Sequence, residues 1–224
     1  FFAEPVIEYD KNRLFRIMHI KPGSNAAEQA DQLLPTLLKM AGDNMEITNC
    51  CCQISLGQLP AARHGLPEPA PAGCGQIALC LSTCTDRIQK AISQMMTLGD
   101  YMSAYLLDYL SNEILFSNTN VLNRRMADRL HSEGLHVGRR MSVGENGLAL
   151  GYQTVFLEAL KKEAADNGFS LAVTINDTFM MNPVKTLLYA FPAGPGIPDV
   201  SVEHDCSRCS NIHCFYRVAP DSNP

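Results

Sequence analysis

Gly138-Arg139-Arg140-Met141-Ser142-Val143-Gly144-Glu145-Asn146-Gly147-Leu148-Ala149-Leu150-Gly151-Tyr152-Gln153 is the stretch around which the rest of the chain can be ordered. An extended, partly apolar run from Leu135 to Met141 feeds two guanidinium groups into a turn with glycines at 144, 147 and 151, and an amphipathic helix begins near Tyr152. Glycine allows positive φ or close approach of a ligand to the backbone, and arginine offers a rigid fork of donors to a carboxylate or phosphate. Two readings stand open from this stretch alone: a ligand-binding loop, or an ordinary strand-to-helix connection with two solvated arginines.

Towards the C-terminus, Tyr152 to Asn167 has helical spacing with Phe156, Leu157 and Leu160 inward and Gly168 as its terminator. Phe169 to Ile175 and Lys185 to Phe191 are expected strands, joined by a segment that Pro183 fixes. Towards the N-terminus, Asp100 caps the longest helical stretch, with a stripe of Tyr101, Tyr105, Leu106, Tyr109, Leu110, Ile114 and Leu115. A second helical segment is expected from Asn120 to Glu133. Asp86 to Met96 is a further helix, Glu46 to Leu56 and Gln76 to Ser82 are strands, and Leu59 to Gly75, with four prolines and three glycines, is a loop. Asn25-x-x-Glu28 opens a helix that Pro35 should kink or restart, and Pro5 to Tyr9 reads as a short strand before a helix starting at Asp10. Helices and strands mix without strict alternation, which points to α+β.

The chain has 224 residues, 46% of them hydrophobic, enough for a sizeable core in one large domain or two small ones. A net charge of -5 and a pI near 5.7, with no basic run longer than a pair such as Arg124-Arg125 or Arg139-Arg140, argue against nucleic-acid binding. Apolar runs such as 187–191 are too short to span a bilayer, and no signal-peptide pattern opens the chain. The nine cysteines fall in three groups (50–52; 74, 80 and 84; 206, 209 and 214) unlike the ladder of a disulfide-stapled secreted scaffold, so a cytoplasmic protein is expected. Cys50 to Cys52 read as small core hydrophobes. Cys206-x2-Cys209-x4-Cys214 has the spacing with which a turn presents thiolates to one metal. Three thiolates suit a [4Fe-4S] cluster with an open or borrowed fourth position, or zinc with His204 or His213. Free thiols on the tail are the other reading.

Three segments, in order, resemble the activation domain of cobalamin-dependent methionine synthase in its stand-alone anaerobe form. Gly99-Asp100-Tyr101 with Leu106-Leu107-Asp108 resembles the family's long helix. Arg140-x-x-x-Gly144 with Leu150-x-x-Gln153 resembles its arginine loop, and Thr178-Phe179-Met180-Met181-x-Pro183-x-Lys185-Thr186 resembles its paired-methionine segment. The resemblance is good over about residues 76–192 and loose before that. It implies an α+β fold with a twisted antiparallel sheet flanked by helices in a C-shaped domain over residues 1–192, and a Cys-rich tail over 193–224. It also implies S-adenosylmethionine in a groove, presented to a cobalamin bound on a partner or directly. In the parent chemistry one electron reduces inactive cobalt(II), and the sulfonium methyl traps cobalt(I) as methyl-cobalt.

By the same resemblance, Arg140 rather than Arg139 faces the groove and takes the methionyl carboxylate. Ser142, Val143, Gly144 and Glu145 line the loop, Met180 and Met181 divide between core and groove wall, and Glu113 is the acidic residue of the long helix. Val143, Glu145, Ala149, Asp177 and Thr178 depart from the family's pattern. Expected partners are a corrinoid protein or cobalamin-dependent methyltransferase and an electron donor, and the expected role is reductive activation or capping. The tail motif is similar to the endings of stand-alone relatives. The alternative from another class is an iron-sulfur or zinc protein on the same fold, acting in electron transfer or docking without S-adenosylmethionine.

Overall fold

The structure, a computed structural model, describes residues 1–59, 70, 72–145, 148–203, 213–214 and 216–217. Its sheet starts with β1 (Phe2–Ala3), β2 (Ile47–Ser55) and β3 (Gln76–Cys84), then continues through β8 (Thr186–Gly194) to β4 (His136–Val137). β5 (Met141–Ser142) also pairs with β8, every pairing is antiparallel, and β6 (Thr174–Ile175) with β7 (Met181–Asn182) forms a separate two-stranded ribbon. The helices are α1 (Lys11–Ile17), α2 (Asn25–Asn44), α3 (Arg87–Thr97), α4 (Tyr101–Ser132) and α5 (Tyr152–Asp166). This is the expected α+β class, with a twisted antiparallel sheet flanked by helices.

Alternation along the central strands gives the sheet two buried faces. Ile77, Leu79, Leu81, Leu188 and Ala190 pack on Tyr152, Val155, Phe156 and Leu160 of α5. Cys51, Ala78, Cys80, Tyr189 and Phe191 face the C-terminal half of α4 through Leu122, Met126 and Leu130. The N-terminal half of α4 belongs instead to a helical core with α1, α2 and α3, built on Leu14, Leu34, Leu37, Ile88, Leu106, Leu107 and Ile114. α4 is therefore the spine shared by two cores.

The expected break in that helix does not occur. Its 32 residues run as one rod of about 48 Å. Asn118, a poor helix former, is held there by tertiary bonds: its amide donates to the Val6 and Ile114 carbonyls and accepts from Val6 N–H and Asn49 Nδ2, at 2.8–3.0 Å. The same bonds explain why Pro5 to Tyr9 is not a strand. A side-chain amide, not a neighbouring strand, satisfies the Val6 backbone. Tyr101 and Tyr105, expected on the apolar stripe, are exposed, and the buried stripe runs through Ala104, Leu106, Leu107 and Leu110.

α2 passes through Pro35 without interruption, because that ring lies on the solvent side, where water can satisfy the carbonyl that loses its partner. Its cap is Ser24, one residue before the expected one, with Oγ accepting from Ala27 N–H at 3.2 Å. Of the strand expected over Phe169 to Ile175, only Thr174 and Ile175 pair. Leu171 and Val173 are buried against the α5 cluster without joining a ladder. The last strand runs on to Gly194, and the following chain stays on the body: Val200 N–H donates to the Val137 carbonyl, and Asn123 Nδ2 to the Val202 carbonyl. Among the described residues, no helix is long and apolar enough to cross a membrane.

Candidate functional site

The arginine loop is hung from the sheet edge by Gly138. A Cβ at that position would meet Pro192 Cγ at 2.7 Å, and the Gly138 N–H donates to the Pro192 carbonyl at 2.8 Å, so only glycine lets the chain pass. The next two residues, between β4 and β5, then differ in burial: Arg139 is exposed and Arg140 half-buried. The Arg140 guanidinium lies 3.8 Å from the centroid of the Tyr189 ring, on its face. Tyr189 is fully buried, and its hydroxyl donates to Asn123 Oδ1 at 2.8 Å, which ties the stack to α4. Burial pushes the Tyr189 phenol up, so it stays a neutral platform; the adjacent Arg140 charge acts against that shift.

Arg140 Nε is buried, and among the described residues no acceptor bonds it. A buried donor of this kind calls for a partner, since leaving it unpaired costs about 1–3 kcal/mol. The remaining loop residues follow in order. Ser142 pairs with Tyr189 across the ladder, and Val143 packs on the α5 cluster beside Met141. Gly144 takes φ +82° and closes a turn through its N–H to the Leu148 carbonyl at 2.9 Å, with Glu145 half-buried behind it. A Cβ on Gly144 would meet only Leu150 at 3.6 Å, so its backbone conformation demands glycine, not crowding. Asn146 and Gly147 lie outside the described residues.

The two methionines separate as alternation directs. Met181, on β7, packs on the same cluster as Val143, whereas Met180 is 58% exposed. The turn before them is pinned by Asn176, whose Oδ1 accepts from Thr178 N–H, Thr178 Oγ and Met180 N–H at 2.8–3.0 Å. Phe179 there adopts φ 61°. Leu150, Phe179, Met180 and Val184 leave large apolar side chains exposed on these segments.

Glu113 belongs to a different group. It lies on α4 ten residues before Asn123, about 15 Å along the axis, and its partner is Arg13 of α1, with Nε 3.3 Å from Oε1. Arg13 in turn stacks over Phe116, and Tyr216 of the tail packs on Phe116 and Tyr109 with its hydroxyl bonded to Asn112. Lys185, the lysine of the methionine-segment resemblance, sits beside this group: its Nζ donates to Asp108 Oδ1 at 2.8 Å and Asn112 Oδ1 at 2.7 Å. The structure thus sets Arg140 and Ser142 against Tyr189 on the α4 face of the sheet, Val143 and Met181 on the α5 cluster of the opposite face, and Glu113 with the tail. Tyr189 and Asn123 were not singled out from the sequence. A phenol inside the apolar run 187–191 was the available signal.

Burial pushes the Glu113 carboxyl up to about 7 from its ordinary 4.5, against the pull of Arg13. Between those values the folded chain keeps a proton that the unfolded chain has lost. The stability that this carboxyl contributes is therefore fully present below pH 4.5 and is lost as pH rises to 7. Glu113→Gln should remove this slope, so that the stability difference between wild type and variant changes by about 2 kcal/mol across the window. Urea denaturation of both proteins at pH 5 and pH 8 measures it; parallel curves would show that Glu113 is not the titrating group.

Of the tail thiols, Cys206 and Cys209 lie outside the described residues, and Cys214 is half-buried. Among the described residues no three His, Cys, Asp or Glu side chains group as metal ligands.

No protein-family model matches the chain, and neither does any curated protein. Among solved structures, the chain is similar to the crystal structure of the MetH reactivation domain bound to AdoHcy, with a TM-score of 0.60. The match covers 90% of this chain and 80% of that one at 10% sequence identity, so what the two share is the fold, that of a reactivation domain.

Proposed function

We propose that this chain is a stand-alone partner of a corrinoid protein or cobalamin-dependent methyltransferase and returns it to the active state with S-adenosylmethionine. The observation that carries this reading is the buried Arg140 Nε, without a partner among the described residues and stacked on the Tyr189 platform, on the fold of a domain solved with AdoHcy. A carboxylate is the acceptor that a guanidinium fork fits best. The methionyl carboxylate would bond Arg140, with the Ser142–Glu145 turn along the ligand and Glu145 offering negative charge to the sulfonium. S-adenosylmethionine supplies a methyl group, and the chain's own task is to bind, orient and exclude water. The exposed Leu150, Phe179, Met180 and Val184 offer the apolar surface that a corrin face would meet.

The test mixes the protein with a cobalt(II) corrinoid protein, a one-electron reductant and S-adenosylmethionine, and follows the visible spectrum of the corrinoid. Conversion that depends on this chain supports reactivation. Binding of the corrinoid protein without conversion would identify a capping role, and no binding of either would overturn the proposal.

The tail belongs to the same reading. Cys206, Cys209 and Cys214 are proposed to hold one metal centre, zinc or [4Fe-4S], which serves electron delivery or tail folding. Protein purified without oxygen is expected to carry about one zinc or up to about four iron atoms per chain. Free alkylation of all three thiols in that preparation would return them to ordinary cysteines. Iron together with no affinity for S-adenosylmethionine would favour an electron-transfer protein on this fold.

A further inference from the structure

The antiparallel register sets Cys51 of β2 opposite Cys80 of β3, Cys80 opposite Tyr189 of β8, and Tyr189 opposite Ser142 of β5. Directly opposed residues share a face, so this row crosses the sheet on its α4 side, from β2 to the arginine loop. At one end of it the Cys80 thiol is directed at the Cys51 sulfur, 3.5 Å away. The backbone of Cys51 faces the other way: its N–H donates to the Phe1 carbonyl at 2.9 Å, and its carbonyl accepts from the Phe1 amino group at 2.7 Å. A residue whose two backbone groups both serve one neighbour forms a non-hydrogen-bonded pair with the other, the pair type in which Cα atoms approach to about 4.5 Å. That separation lies within the range a disulfide spans, about 4.4–6.8 Å.

The geometry points to Cys51 and Cys80 as a redox-modifiable dithiol that closes to a cross-strand disulfide under a hydroperoxide. Access decides which sulfur reacts first. Cys51 lines a cavity of about 640 Å³ together with Phe1, Phe2, Cys52, Met126 and Leu130, whereas Cys80 is fully buried and does not line it. The Cys51 thiolate attacks the terminal oxygen of the hydroperoxide, the O–O bond breaks, and a sulfenic acid and an alcohol result. Cys80 sulfur then attacks Cys51 sulfur, the S–O bond breaks, and the hydroxyl leaves with the Cys80 proton as water. Two thiols have lost two electrons and the peroxide has gained them. Burial pushes the Cys80 thiol up, which suits a resolving partner better than an initiating one. This inference stands independently of any ligand at Arg140.

The test treats the full, reduced chain with tert-butyl hydroperoxide, alkylates it in denaturant at low pH, and maps peptides without reduction. A linked pair joining residues 51 and 80 is expected, reversed by dithiothreitol, with the alkylatable fraction of Cys80 reduced about tenfold. Cys80→Ala should lose that linked pair, and Cys51→Ala likewise. If either variant fails to fold, the wild-type map decides alone, because fragmentation distinguishes Cys51 from Cys50 and Cys52. Full alkylation of Cys80 after oxidation, or a bridge from Cys50 or Cys52 in place of Cys51, would overturn the proposal.

Discussion

Arg140→Glu is expected to lower affinity for S-adenosylmethionine at least about 100-fold, since truncating one side of a buried charge pair costs about 2–5 kcal/mol and reversal adds repulsion. The substituted carboxylate would also lie against the face of Tyr189, where the ring quadrupole repels negative charge. Arg140→Lys keeps the charge but loses the planar fork and the stack, and about tenfold weaker binding is expected. Arg139→Glu serves as the comparison, because that side chain is exposed. Titration calorimetry of the three variants at constant ionic strength gives the ranking. Equal losses at positions 139 and 140 would indicate a diffuse electrostatic patch and remove Arg140 from the site.

The largest effect on stability is expected from Lys185→Met, at about 3 kcal/mol. Lys185 is 8% exposed, and its ammonium donates to Asp108 Oδ1 at 2.8 Å, the Asp108 carbonyl at 3.3 Å and Asn112 Oδ1 at 2.7 Å. All three N–H groups are therefore used, which is the condition under which a buried ammonium is tolerated. Methionine fills the space but leaves these acceptors without a donor. The Asp108 side chain is 37% exposed and can recover water, so the loss should stay below that of a wholly buried pair. Adding Asp108→Leu to Lys185→Met should recover part of the loss, and a double-mutant cycle by urea denaturation measures the coupling. A loss under about 1 kcal/mol in the single variant would mean that the pair is screened as a surface ion pair is. Because this contact ties the start of β8 to α4, the variant should also loosen Tyr216, which shares Asn112 with Lys185.

What could be read from the chain directly was whatever its local chemistry decides. Asp100 caps the long helix through an oxygen that accepts from Ser103 N–H, and Gly168, at φ +80°, terminates α5. Phe156, Leu157 and Leu160 turn inward at helical spacing, and β3 and β8 lie where apolar runs placed them. Period and capping act over a few residues, so the α+β class and most elements were legible. The resemblance added the arginine loop as the candidate site.

Tertiary structure decided the rest. Two helical segments were expected on either side of residues 116–119, and Asn118 is held inside a single helix by Val6 and Asn49, 112 and 69 residues away. Pro5 to Tyr9 had the pattern of a strand but met an amide side chain in place of a ladder, and Leu171 and Val173 met the α5 cluster. Glu113 and Arg140 could both be assigned to a site by position in the sequence. The length of α4 between them gives one the company of Arg13 and the other the face of Tyr189. Helix period and turn chemistry are set by neighbours in the chain; which strand pairs with which, and which charge is left without a partner, is set by packing between segments far apart in it.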